Sequence, residues 1–299
     1  MIVALGEVLW DLLPSGPRAG GAPFNFAFHC HQLGHPAAIV SAVGDDDLGR
    51  DLRAEVRRLG LTDEFIQTDP NHPTGTVAVT VDAAGVPTYE IVDNVAWDHV
   101  AWHPGLDALA RSATAVCFGT LAQRRRRSRD TVRQFVLAAG GDSLAVCDLN
   151  LRPPFVDPAI IHDSVRLADW LKVSEAEADA VVDAFHMTIA TGLTPGGPQF
   201  WQRLLPTALP PDGVFVVTRG EHGCIVGTRQ EVAELGGHSV AVADTVGAGD
   251  SFTAALLTQH LEGKSLAEAA RFANAYAAVV ASKPGGTPRV DRAQVERLL

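Results

Sequence analysis

Short apolar runs and amphipathic stretches alternate along most of the chain, and that alternation sets the elements it should form. Ile2-Val3-Ala4-Leu5, closed by Gly6, reads as a buried first strand. Ala37–Gly44, residues 113–118, Leu144–Asp148, the run at Trp170-Leu171-Lys172-Val173 and Val214–Thr218 repeat the pattern. Helical patterns lie between them. Pro23 suits a first turn, Phe24, Ala27, Phe28 and His31 share one face, and Gly34 supplies the stop. The triplet Asp45-Asp46-Asp47 opens a charged helix running to Leu59-Gly60, its acids at the positive end of the helix dipole. Phe252, Ala255, Leu256 and Gln259 keep helical spacing, and residues 267–282 form a second, long apolar helix. Such alternation predicts a mostly parallel sheet with helices on both faces: a three-layer, Rossmann-like α/β sandwich whose ligands sit at the carboxyl ends of its strands.

Residues 74–81 depart from this plan. They alternate with period two, break at Asp82-Ala83-Ala84-Gly85 and resume over 88–92, which reads as a hairpin. Two strands are marginal alone, so the hairpin must pack on something. No repeat, low-complexity tract or linker interrupts the chain. The expectation is one domain over residues 1–299 carrying a small β lid, with lid strands at approximately 10–22 and 74–98.

A hydrophobic content of 46% over 299 residues suffices for a sizeable core. No run approaches the roughly 18–20 apolar residues that cross a bilayer, and the first strand begins without a basic leader, so a soluble cytoplasmic protein with no membrane partner is expected. Cys30, Cys117, Cys147 and Cys224 stand singly in apolar stretches and read as buried thiols. A formal net charge of −11 argues against a nucleic-acid partner. Arg124-Arg125-Arg126-Arg127 is the exception; without interleaved aromatics it reads as a solvated face or helix start just after a strand end. His29, His31 and His35 lack acidic or thiol partners at their spacing and are read as packing or surface residues rather than metal ligands.

The chemistry concentrates at residues 244–252. Gly247, Ala248 and Gly249 let the backbone turn tightly and aim a row of N–H groups at one point, where a helix begins. That is an anion cradle at the positive end of a dipole. Asp250 follows directly. A carboxylate in a first helical turn gains about 0.3–1 kcal/mol from the dipole, but Ser or Thr would cap as well without repelling a phosphate. A base that takes a proton from a hydroxyl, while the cradle neutralises the phosphoryl group under attack, accounts for both features.

Asp244-Thr245-Val246-Gly247-Ala248-Gly249-Asp250 resembles the D-T-x-G-A-G-D signature of the ribokinase-like (PfkB) carbohydrate kinases. The resemblance extends from Gly6 to Gly286. Gly20-Gly21-Ala22-Pro23-Phe24-Asn25 resembles the family's N-terminal G-G-A-x-x-N, Gly119–Arg124 and Asp148-Leu149-Asn150-Leu151-Arg152-Pro153 resemble segments of fructokinases, and Thr218–Gly223 resembles T-x-G-x-x-G. What this implies is ATP-dependent phosphorylation of a sugar, with fructose leading and ribose or 2-keto-3-deoxygluconate as alternatives. Asp250 would be the base and Gly247, Ala248 and Gly249 the anion hole. Sugar contacts are implied at Asp11, Gly20, Gly21, Asn25, Trp97, Gln123, Asn150 and Arg152, with Asp148 facing the same cleft. From the residues alone, Asp11 also fits an edge carboxylate and Asn25 an ordinary helix start. Nucleotide contacts are implied at Lys172, Thr218, Gly220, Thr245, Gly247, Gly249 and Asn274, and a monovalent cation such as potassium at Asp244. Glu177 would help order Mg2+ through water, although Ser174-x-x-Glu177 equally fits a capping box. The lid's outer face fits solvent or a homodimer contact. Two other classes fit less well: a non-catalytic sugar or nucleotide sensor, disfavoured by Asp250 with its glycines, and a dinucleotide oxidoreductase, disfavoured because no G-x-G-x-x-G follows the first strand.

Overall fold

The computed structural model describes residues 1–13, 16–81, 87–186 and 196–299. Its strands are β1 (Ile2–Leu5), β2 (Leu9–Leu13), β3 (Gly16–Gly20), β4 (Ala37–Gly44), β5 (Ile66–Asp69), β6 (Thr76–Val81), β7 (Pro87–Ile91), β8 (Ala115–Phe118), β9 (Leu144–Asp148), β10 (Trp170–Ser174), β11 (Val214–Thr218), β12 (Cys224–Gly227) and β13 (Val232–Leu235). The helices are α1 (Ala22–Gln32), α2 (Asp47–Arg58), α3 (Pro104–Ser112), α4 (Arg126–Ala139), α5 (Pro158–Arg166), α6 (Glu175–Ala184), α7 (Pro198–Leu204), α8 (Ala248–Leu261), α9 (Leu266–Ala281) and α10 (Arg292–Glu296).

Among the described residues, nine strands form one sheet in the order β13-β12-β11-β10-β9-β8-β1-β4-β5. The run from β11 to β5 is parallel throughout; β12 and β13 add an antiparallel edge. Because side chains alternate across a strand, β1 sends Ile2 and Ala4 into one apolar core with α1, α8 and α9, and Val3 and Leu5 into a second core with α3 to α7. Continuous apolar runs therefore mark strands covered on both faces, as the sequence pattern predicts. The three layers follow directly.

A separate four-stranded sheet, β3-β2-β6-β7, supplies the small β layer. The β6–β7 pair is the expected hairpin, and β2 joins it in parallel while pairing antiparallel with β3. The break at Asp82–Gly85 lies outside the described residues. All four cysteines are free and buried. Among the described residues, no helix is long and apolar enough to cross a membrane.

The arginine run splits. Arg126 is 92% exposed, whereas Arg124 is 5% exposed. Its guanidinium lies 4.2 Å from the centre of the Trp97 ring and 4.3 Å from that of Phe155, and it donates at 2.7 and 2.8 Å to the two carboxylate oxygens of Asp98. A third donation, to the Val92 carbonyl at 2.7 Å, fastens the chain leaving β7 to the central body.

Candidate active site

The site forms where β1, β9 and β10 end and α1 and α8 begin, the place at which a parallel sheet presents strand carboxyl ends to a ligand. Helix α8 starts at Gly247, whose φ of +75° only glycine adopts without strain. A Cβ at that position would lie 2.6 Å from Gly286 Cα. Ser251 N–H donates to the Gly247 carbonyl at 2.8 Å and begins the helical ladder; Ala248 N–H closes a turn onto the Thr245 carbonyl at 3.3 Å, and the Gly249 and Asp250 amides fall in the first turn, which has no intrahelical acceptors.

Two cavities meet at this turn. Ala248 and Gly249 line an open cleft of about 610 Å3, shared with Thr218, Gly220, Thr245 and Asn274. Asp250 lines a small cavity of about 20 Å3 on the other side, shared with Glu7, Asp148 and Asn150. The first turn of α8 thus separates a large pocket from a carboxylate-bearing one.

Asn25 Nδ2 donates to Asp250 Oδ2 at 2.8 Å and fixes the carboxylate. Burial, reinforced by the Asp148 charge, raises the Asp250 carboxyl to about pH 6 against the pull of Asn25, Lys172 and Arg152. Asp250 is therefore ionised at neutral pH yet more basic than an ordinary carboxylate, which suits proton abstraction. Behind it, Lys172 Nζ sits 3.0 Å from Asp148 Oδ1, and Thr253 Oγ1, with its one proton to share, lies 2.9 Å from Asp148 Oδ2 and 3.0 Å from the Gly249 carbonyl. Burial is the largest influence on Lys172 and works against its charge, but the Asp148, Glu177 and Asp250 carboxylates together outweigh it and the net shift is upward. A Cβ on Gly249 would lie 3.2 Å from Lys172 Nζ, so this ammonium rests directly beneath the anion loop.

The remaining sequence-predicted residues fall into three groups. Asn150, Arg152, Asp11, Gly20 and Gly21 border the site. Asn150 has φ +43° at the end of β9, and the exposed Arg152 bears electrostatically on both Glu7 and Asp250. Asp11 comes from β2 of the small sheet, against Gly20 of β3; burial and then the Asp244 charge raise its carboxyl to about pH 6. Trp97 and Gln123 are fully buried. Trp97 packs under Arg124, and Gln123 donates to the Gly119 carbonyl and Ser164 Oγ, both at 2.8 Å, so neither lines the two cavities described. They support the loop at Gly119–Leu121, which does line the small one.

Glu177 and Asp244 form the third group, the metal candidates. Glu177 Oε2 accepts from Ser174 N–H and Oγ, both at 2.8 Å, and Oε1 accepts from Leu151 N–H. The capping box is real and also ties the loop after β9 to the start of α6. Asp244 accepts from Val246 and Gly285 N–H, each at 3.0 Å, with the Arg18 guanidinium 4.0 Å away. Among the described residues, no three His, Cys, Asp or Glu side chains group as metal ligands.

Glu7 is the principal residue that the motifs overlook. It follows Gly6 at the carboxyl end of β1, accepts from Ala22 N–H at 3.2 Å, and is raised by burial to about pH 7. A lone carboxylate immediately beyond a buried strand is the signal that finds it.

A strand-end cleft, an anion loop opening a helix and a basic carboxylate in its first turn describe a phosphoryl-transfer site on an α/β fold. The chain belongs to the pfkB family of carbohydrate kinases, whose description it matches over residues 16–292. It is 29% identical to fructokinase-2 of Solanum lycopersicum, covering 98% of this chain and 94% of that one. An uncharacterized sugar kinase from Pyrococcus horikoshii, solved in complex with ATP, is similar over the full length of both chains at 28% identity and a TM-score of 0.80. A fructokinase from Xylella fastidiosa with bound ATP shares the fold, with a TM-score of 0.83 at 21% identity over 99% and 97% of the two chains.

Proposed function

We propose that the protein transfers the γ-phosphoryl group of ATP to a hydroxyl of fructose. The observation that carries the proposal is the division of space by the first turn of α8, with Ala248 and Gly249 lining the 610 Å3 cleft and Asp250 lining the small cavity beside Glu7 and Asp148. ATP is assigned to that cleft, whose volume suits a nucleotide and whose small wall residues Ala277, Ala278 and Ala281 leave a flat slot for a base. The Pyrococcus relative, solved in complex with ATP, supports ATP as the nucleotide. The sugar is assigned between Asp250 and the small sheet, with Asn150 of the small cavity and Asp11 of β2 offering acceptors to its hydroxyls.

Asp250 takes the hydroxyl proton as the oxygen attacks phosphorus in line, and the loop amides with Lys172 beneath them face the charge on the transferring group. Mg2+ would enter with the nucleotide and neutralise its phosphates. Glu177, each of whose oxygens already accepts protein N–H or O–H groups, would meet it only through water. Potassium at Asp244 is a separate expectation, checked by replacing potassium chloride with tetramethylammonium chloride.

Fructose rests on the fructokinase-like segments and on fructokinases among the relatives. Charge adds a reason. Glu7, Asp148 and Asp250 line the small cavity on the acceptor side, and Lys172 pairs with Asp148. A neutral polyol is welcome there, whereas a sugar acid such as 2-keto-3-deoxygluconate would be repelled.

The test is ADP formation from Mg·ATP over a panel of fructose, ribose, 2-keto-3-deoxygluconate and glucose, with Asp250→Asn alongside. Fructose turnover that disappears in the variant while nucleotide binding persists is the expected result. Undiminished turnover in Asp250→Asn would remove Asp250 as the base, and preference for another sugar would overturn the substrate assignment.

A further inference from the structure

Helix α1 carries a polar stripe on an otherwise apolar face: Asn25, His29 and Gln32 at i, i+4 and i+7. Asn25 reaches Asp250 and His29 reaches Gly286, while Gln32 reaches the chain beyond it at Pro288 and Val290. His29 is fully buried, with Nε2 3.0 Å from the Gly286 carbonyl and Nδ1 3.0 Å from the Tyr276 hydroxyl of α9. A carbonyl only accepts, so Nε2 carries the proton, Nδ1 accepts, and Tyr276 donates to it. The Gln32 amide donates to the Tyr276 hydroxyl at 2.7 Å and to the Pro288 carbonyl at 3.3 Å, and its Oε1 accepts from Val290 N–H at 2.9 Å. Every proton in the chain Gln32 to Tyr276 to His29 to Gly286 therefore has one direction. Burial lowers His29 to about pH 4, which keeps the imidazole neutral and the direction fixed in ordinary buffers.

The end of this chain is a peptide wedged into the catalytic geometry. A Cβ on Gly286 would lie 2.7 Å from Asn25 Nδ2, and one on Gly247 would lie 2.6 Å from the Gly286 carbonyl oxygen. Gly286 thus fills the slot between Asn25, which holds Asp250, and Gly247, which opens α8. We propose that His29 is a positioning residue: with Tyr276 and Gln32 it fixes the Gly286 peptide, and so sets the spacing between the Asn25–Asp250 pair and the anion loop. The kinetic consequence rests on the phosphoryl-transfer reading of Asp250; the positional one does not.

Tyr276→Phe keeps the ring and removes the hydroxyl, and Gln32→Met interrupts the same chain from its half-exposed end, serving if Tyr276→Phe does not fold. The expected result is a fall in kcat of about ten- to hundredfold, as for a misplacement on the order of 1 Å, with KM for sugar and nucleotide within about twofold. The acid limb of the pH–rate profile should move upward, because a looser Asn25 bond favours the ionised Asp250 less while its other charged neighbours Asp148, Lys172, Arg152 and Glu7 are untouched. Amide exchange at Gly285, bonded to Asp244, and at Ser251, bonded to Gly247, should quicken. A lowered unfolding midpoint with unchanged kcat, acid limb and exchange would overturn the proposal. Should the wild-type protein phosphorylate no sugar, the kinase reading fails, and exchange alone decides: unchanged rates overturn the positioning role, quickened rates uphold it.

Discussion

Replacing Glu7 by Gln should make the protein more stable, and only in neutral or alkaline solution. Glu7 is 5% exposed, and burial, against the N–H groups of Glu7 itself and Ala22, raises its carboxyl from 4.5 to about 7. Because the folded value lies above the unfolded one, the folded state holds this proton more tightly. Stability contributed by the group is therefore greatest in acid, declines as pH rises beyond about 4.5, and levels off above about 7. A displacement of roughly 2.5 pH units corresponds to about 3 kcal/mol lost at pH 8 and under about 1 kcal/mol at pH 5. Gln keeps the shape and an oxygen for Ala22 N–H but brings an NH2 group into the cavity beside Asp148 and Asp250, which offsets about 1 kcal/mol. The variant should gain roughly 1–2 kcal/mol over wild type at pH 8 and nothing at pH 5. Urea unfolding of both proteins at the two pH values measures this. The same difference at both, or a gain confined to pH 5, would refute the reasoning from burial.

Arg124→Met leaves the fully buried Asp98 carboxylate without its guanidinium and should cost about 3–5 kcal/mol in urea unfolding, with part recovered by adding Asp98→Asn. An exposed-arginine cost near zero would contradict the buried geometry. Gly247→Ala should cut kcat at least about tenfold while the fold survives, because its Cβ meets Gly286 at a φ of +75° and displaces the anion loop; steady-state kinetics beside a thermal melt separate the two effects.

The central layers were legible because period and burial agree. Ala37–Gly44 is apolar at every position and lies in mid-sheet, so strand and burial are one statement. The glycine turn was equally plain, since only glycine accepts the φ at Gly247 without strain, and it opens α8 with Asp250 in the first turn as the pattern predicts. Side-chain direction was not legible. Arg124 and Arg126 look alike in sequence, yet one is stacked between two rings and the other is in solvent, because the helix begins between them. Trp97 and Gln123 sit in segments that border the site, and the backbone there turns both inward. The isolated histidines of α1 were separable only by period: His29 continues the stripe of Asn25 and Gln32, whereas the exposed His31 does not.

The same stripe bears on why a raised carboxylate can be kept at Asp250 at all. Burial beside Asp148 makes its charge costly, and a mobile side chain would turn toward solvent and recover hydration. Asn25 prevents that by a single bond, and a single bond restrains only as well as its donor is held. Gly286 blocks Asn25 from behind, and His29 pins Gly286 through a proton it cannot lose or gain near neutral pH. A charged anchor such as lysine would instead add to the field at Asp250 and draw its basicity down. A neutral buried imidazole holds the Asp250 carboxylate in place while leaving its basicity intact, which is the combination that the proposed proton abstraction requires.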